Sequence, residues 1–156
     1  MEHADVRRCC QHVMRALGMG HTEHVYHSAL ITALHRQGVQ IRSEVICPIY
    51  FMGDIVAFGK ADLVIDNLVL ELKAVTRPPT TANGQQLQKY LQSLQNLEGR
   101  EFHGMVVNFN QTTGKIDTLA VQCVPPATRT VVSGAFRRSL GEPKPRARRR
   151  VIDLSE

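Results

Sequence analysis

The spacing of hydrophobic positions changes period three times along the chain. Val6, Cys10, Val13, Met14 and Leu17 recur at the three- and four-residue steps of one helical face over 3–17, and Gly18 is a fitting stop. A second helix is predicted over 22–37, with Val25, Ala29, Leu30, Ala33 and Leu34 on its apolar side and Gly38 behind it. From Val39 onward the pattern is that of strands: 39–51, 54–65 and 68–75 are rich in Val and Ile and are separated by Met52-Gly53-Asp54 and Asp66-Asn67. The segment TRPPTTANG then breaks the last strand, and Thr80 or Thr81 can cap a helix over 82–97 that carries Leu87, Leu91 and Leu94. Two more strands, 103–109 and 115–124, flank the turn NQTTG. The expected fold class is α/β in the α+β sense. Its mixed sheet has an antiparallel three-strand meander, a crossover helix and two further strands, with helices flanking it.

Charges interrupt the apolar strands where a simple buried strand would have none. With Asp66-Asn67 as a two-residue hairpin turn, Ile65 would face Leu68, Val64 would face Val69 and Leu63 would face Leu70. The same register would set Asp62 opposite Glu71 and Lys60 opposite Lys73. Alternation puts Leu63, Ile65, Leu68, Leu70 and Leu72 on one buried face, and Asp62, Glu71 and Lys73 on the other. Directly opposed residues lie about 5 Å apart, so two carboxylates repel there unless a cation intervenes. A divalent metal supplies one, and Mg²⁺ commonly uses one or two carboxylates plus waters and substrate phosphates. An ammonium beside it suits a phosphodiester, because it can orient water and offset developing charge. A half-solvated strand carrying a surface ion network has the same composition, and the hairpin alone does not separate the two.

Further motifs add to the hairpin. Ala61-Asp62 in one strand and Glu71-Leu72-Lys73 in the next resemble the PD-(D/E)XK nuclease superfamily. GHTEHVY holds Gly20, Glu23 and Tyr26 in the spacing of the GxxExxY branch, QLQKYL holds Gln86 and Tyr90 in a QxxxY pattern, and GMVVNF resembles the branch's late strand. The resemblance spans about residues 12–120 and implies a restriction-endonuclease-like core. It implies Asp62, Glu71 and Glu23 as ligands or water contacts of Mg²⁺, with Mn²⁺ as substitute and the Leu72 carbonyl as a further donor. Lys73 would be the catalytic lysine, with Gln86 and Tyr90 positioning it or a phosphate. Lys60 and Lys89 would contact nucleic acid. Ala61 stands where the motif has proline, and Lys60 where an arginine is expected. The implied activity is metal-dependent hydrolysis of phosphodiester bonds, most of all in DNA, with 5′-phosphate and 3′-hydroxyl products, and a homodimer is a further expectation. The alternative is a non-catalytic nucleic-acid-binding protein on the same scaffold. Although His21, His24 and His27 cluster nearby, they lack the H-E-x-x-H spacing of a zinc site.

Length and composition change this picture in four respects. At 156 residues, one domain over 1–130 is expected, followed by a basic tail over 131–156. The formal charge of +5 belongs mostly to that tail, since 137–156 hold seven Lys and Arg against three Asp and Glu. Arg146, Arg148, Arg149 and Arg150 form a cluster suited to phosphate backbone or to a nuclear import receptor, in a segment expected to be disordered until bound. No apolar run approaches the ~20 residues of a membrane span and no signal-type leader is visible, so an intracellular, non-secreted protein is expected. Cys9, Cys10, Cys47 and Cys123 show no CxxC pairing and read as reduced thiols. Deleting 137–156 should weaken nucleic-acid affinity and flatten its salt dependence while sparing cleavage, measured as log Kd against log salt. Unchanged affinity would remove the tail from binding.

Overall fold

A computed structural model of the chain describes residues 2–123. The domain end near residue 130, the tail 131–156 and its four arginines lie outside the described residues. The elements are α1 (His3–Leu17), α2 (Glu23–Arg36), β1 (Arg42–Phe51), β2 (Asp54–Ile65), β3 (Leu68–Lys73), α3 (Thr81–Glu98), β4 (His103–Phe109) and β5 (Ile116–Gln122). Every predicted element is present, and the differences are at the ends. Thr80 caps α3, its Oγ1 accepting from Asn83 N–H at 3.4 Å while Asn83 Oδ1 accepts from Thr80 N–H at 2.8 Å.

One sheet runs β1-β2-β3-β4-β5. β1–β2, β2–β3 and β4–β5 are antiparallel, and the α3 crossover makes β3–β4 parallel. This is the expected restriction-endonuclease-like architecture, and both faces of the central part of the sheet are covered. One face packs Leu63, Leu68, Leu70, Leu72 and Val107 against Val6, Val13, Tyr26 and Leu30 of α1 and α2. The other packs Ala61, Val64, Val69 and Val106 against Leu87, Tyr90, Leu91 and Leu94 of α3. β3 is consequently buried along its length, which explains its near-continuous apolar run.

β3 ends at Lys73, two residues earlier than the pattern predicts. The side chain of Asn108, wholly buried on β4, replaces the ladder there: Asn108 Oδ1 accepts from Val75 N–H at 2.9 Å, and Nδ2 donates to the carbonyls of Val75 and Arg77. β1 starts three residues later than predicted, because Val39 and Ile41 leave the sheet to pack on the α1–α2 core.

The hairpin register holds over its first three pairs and then departs from expectation. Ile65↔Leu68, Val64↔Val69 and Leu63↔Leu70 form as read, but the ladder stops there, so Asp62 does not pair with Glu71 nor Lys60 with Lys73. Lys60 pairs with Ile46 of β1 instead. The cause is a change of parity in β2. Ala61 packs toward α3 and Gly59 lies beneath Tyr90, yet Leu63 and Ile65 pack toward α1 and α2. Residues two apart should share a face, so the strand turns over at Asp62. β1 follows it: its register skips the Glu44/Asp62 pair, and Glu44 adopts φ 53°.

The seat of Tyr90 on Gly59 is tight enough to test. A Cβ at Gly59 would stand 2.2 Å from Tyr90 Cε1, and the ring is mostly buried. Gly59→Ala should therefore cost about 1–3 kcal/mol through overpacking, read as a lower urea midpoint at unchanged m-value. An unchanged midpoint would show that α3 can shift to admit a methyl group.

Candidate active site

Where β2 turns over, four ionisable side chains from three elements meet. Glu23 opens α2, Asp62 lies at the turn-over, and Glu71 and Lys73 close β3. Lys73 Nζ donates to Glu71 Oε1 at 2.7 Å and lies 4.0 Å from Glu23 Oε2. Asp62 Oδ2 accepts from the Leu72 N–H at 2.7 Å, so this carboxylate occupies the backbone position that the interrupted ladder leaves open. His27 Nε2 donates to the Asp62 carbonyl at 3.2 Å, which ties the same residue to α2.

Tyr26 holds the entry to α2. Its hydroxyl donates to the Gly18 carbonyl at 2.7 Å and accepts from Gln111 Nε2 at 3.1 Å, while its ring stacks on Phe109 at 4.5 Å. Gly20 takes φ 95°, a conformation that other residues rarely adopt, and this lets the chain reach the first turn of α2 with Glu23 facing the sheet. Tyr26 is therefore a wholly buried brace with both hydroxyl partners inside the protein.

The electrostatics are those of a site short of positive charge. Glu71 is 4 % exposed, and its Oε2 is buried with no hydrogen-bond partner among the described residues. Burial pushes its pKa upward against the Lys73 hydrogen bond, and Asp62 and Glu23 push it further. Burial likewise raises Glu23, with Lys73 opposing and Asp62 adding. For Lys73, burial favours the neutral amine, but Glu71, Glu23 and Asp62 together outweigh it and hold the ammonium. A single ammonium thus faces three carboxylates.

That imbalance bears on a metal. An ionised carboxylate only accepts, so the free Glu71 oxygen calls for a cation or a donor. The available donors are hard oxygens, the set that suits Mg²⁺ or Mn²⁺. Among the described residues, no three His, Cys, Asp or Glu side chains converge closely enough to hold a metal by themselves. Lys73 engages one oxygen of Glu71, and the Leu72 N–H engages one of Asp62.

Comparison with known proteins identifies the family and the fold. The model of the PD-(D/E)XK nuclease superfamily matches residues 2–119. The chain belongs to this superfamily. No curated protein matches the sequence. Among solved structures, the crystal structure of SSO0001 resembles this one with a TM-score of 0.51 and 22 % identity, over 66 % of this chain and 51 % of that one. The chain spans about half of that protein's length, and the likeness is one of fold.

Within this nuclease-superfamily fold, Glu23, Asp62, Glu71 and Lys73 come together at the turn-over of β2, without the expected opposition of Asp62 to Glu71. Gln86 Nε2 donates to the Tyr90 hydroxyl at 2.8 Å, one turn along α3, and Tyr90 sits over Gly59 rather than bonding Lys73. Lys60 is held by Glu44 at 2.5 Å, and Lys89 is exposed on α3. Two contributors escaped the sequence reading. Asn108 pairs with Lys73 across the parallel ladder and shapes the loop after it, and its signal was a lone amide in an apolar strand. His27 was visible only as one of three histidines.

The raised pKa of Glu71 gives a pH test with a definite sign. The folded protein holds this proton more tightly than the unfolded chain does. The resulting stabilisation is complete below the ordinary value of 4.5 and is lost as pH rises through the folded value. In EDTA, the melting temperature of Glu71→Gln relative to wild type should therefore climb as pH is raised from about 4 to about 7. A difference that falls instead would mean that the Lys73 ion pair outweighs the cost of burial.

Proposed function

We propose that the chain is a divalent-metal-dependent nuclease of the GxxExxY branch that hydrolyses phosphodiester bonds in DNA. The observation that carries this is the buried Glu71, bonded through one oxygen to Lys73 and unpartnered at the other, beside Asp62 at the turn-over of β2. The branch assignment draws support from the distinct structural uses of Gly20, Glu23 and Tyr26. DNA is the substrate that the resemblance implies. We read the catalytic domain as ending near residue 130, with the basic tail adding affinity for phosphate backbone.

Asp62, Glu71 and the Leu72 carbonyl would hold Mg²⁺ or Mn²⁺, with Glu23 reaching it directly or through water. When bound, the metal polarises the scissile phosphate as a Lewis acid. Lys73 does the chain's own part. Its ammonium orients the attacking water and offsets the charge that builds on the phosphate oxygens. The water oxygen bonds to phosphorus, the bond from phosphorus to the 3′ oxygen breaks, and a proton passes to that oxygen. The products carry 5′-phosphate and 3′-hydroxyl ends. Gln86 and Tyr90 form a polar pair on the α3 side that steadies the strand leading to Asp62, and Lys60 and Lys89 meet the backbone of the nucleic acid.

One observation favours a second reading, a non-catalytic nucleic-acid-binding protein. Among the described residues, the acidic groups do not converge into a ready metal cage. Incubating linear, circular and single-stranded DNA with Mg²⁺ or Mn²⁺, beside EDTA and a Lys73→Ala control, decides between the two. Metal-dependent cleavage that falls by roughly 10²-fold or more in Lys73→Ala is expected. DNA binding without cleavage, alike in both proteins, would establish the second reading.

A further inference from the structure

Of the three histidines around the start of α2, one takes hold of the sheet. His21 bonds back to the Leu17 carbonyl at 3.2 Å, and His24 is exposed with its ring 6.5 Å from that of His27. His27 is half-buried, and its Nε2 lies 3.2 Å from the carbonyl of Asp62, 35 positions along the chain. A carbonyl only accepts, so the imidazole donates. A neutral ring then carries its proton on Nε2 and none on Nδ1.

Asp62 is thereby held at both ends. Its carboxylate accepts from the Leu72 N–H at 2.7 Å, which ties it to β3, and its carbonyl accepts from His27, which ties it to α2. The two bonds meet where β2 turns over and where the β1 register skips Glu44 against Asp62. At an interrupted ladder the main chain is less constrained by its neighbours, so a bond from outside the sheet has more to fix. The helix that supplies this bond is itself firmly seated. Tyr26, next to His27, is wholly buried and bonded through its hydroxyl to Gly18 and Gln111. Glu23 stands one turn before His27 on the same helical face, 4.0 Å from Lys73. One face of α2 therefore carries both the acid that approaches Lys73 and the ring that anchors Asp62.

We propose that His27 is a positioning residue of the metal site. By donating to the Asp62 carbonyl, it fixes the peptide at the turn-over so that the Asp62 carboxylate stays on the Leu72 N–H, beside Glu71, where a divalent cation would be held. His27 acts through Asp62 and needs no contact with the metal or the phosphate. The metal in this statement rests on the nuclease reading given above. The hold of His27 on Asp62 does not, since both bonds belong to the protein alone.

Two substitutions separate donation from mere packing. His27→Leu keeps an apolar body and removes the donor, whereas the amide of His27→Gln can place an N–H near the position of Nε2. In EDTA, hydrogen exchange at the Leu72 amide should quicken by about 10-fold or more in His27→Leu, while the Leu70 amide, opposite Leu63 in the ladder, keeps its rate. Mn²⁺ affinity, titrated without nucleic acid, should fall by about 10- to 100-fold in the same variant. His27→Gln should restore most of both. Unchanged Leu72 exchange in His27→Leu overturns the proposal, and so does a His27→Gln variant no better than His27→Leu. A wild type that binds no Mn²⁺ overturns the metal reading. Quickened Leu72 exchange in His27→Leu would then still establish the hold on Asp62, so the two failures are told apart. Should both variants fail to fold, nitrogen NMR of the wild-type imidazoles at about pH 8 decides: His27 should carry its proton on Nε2, and a proton on Nδ1 overturns the proposal.

Discussion

The hydrogen bond from the Leu72 N–H to the carboxylate of Asp62 is the contact on which the site depends. A regular ladder would satisfy that N–H with a carbonyl of β2. Because β2 turns over at Asp62, the carbonyl is not there, and an acidic side chain takes its place. Several consequences follow together. Lys60 leaves its expected partner and pairs with Glu44, and Gly59 and Ala61 swing under α3. β3 is left to run on alone past Leu70, paired only with β4, and its last residues Glu71 and Lys73 become available to α2. The break in the sheet makes the room in which the cluster sits.

The cluster is an unfavourable arrangement held by favourable surroundings. Three carboxylates around one ammonium, partly out of water, cost more than the ion pair returns, and the upward displacement of Glu71 and Glu23 expresses that cost. The leucine-rich cores on both faces of β3 oppose any escape of Glu71 to solvent. Tyr26, locked between Gly18, Gln111 and Phe109, likewise fixes where α2 begins and so where Glu23 stands. An unfavourable cluster kept in place by surrounding packing is what the proposed cation and phosphate site would require. Its lysine stays protonated because the same carboxylates surround it.

Much of this was legible in the chain. The element order, the Asp66-Asn67 turn and the first three pairs of the hairpin come from short-range patterns, in which period and turn chemistry act within a few residues. The grouping of Glu23, Asp62, Glu71 and Lys73 was legible through motif spacing and resemblance. The failures share one cause. Unbroken alternation would extend the register past Leu63, and composition alone would carry β3 to residue 75, yet the ladder stops at Leu63 and the strand at Lys73. Both limits are imposed by groups remote in sequence: Glu44 and β1 on one side, Asn108 of β4 on the other.

The sequence by itself determined the local terms: which segments are helix or strand, where they turn, and which acidic and basic residues accompany them. These follow from periodicity, caps and turn residues, whose energies depend on near neighbours. Only the tertiary structure decided that β2 reverses its faces at Asp62, that Asp62 bonds a backbone N–H rather than standing opposite Glu71, that Tyr26 is a brace, and that His27 reaches the Asp62 carbonyl. Those are outcomes of packing, in which α3 on one side and α1 with α2 on the other compete for the same strands. Alternation along a strand has no information about which helix will cover it.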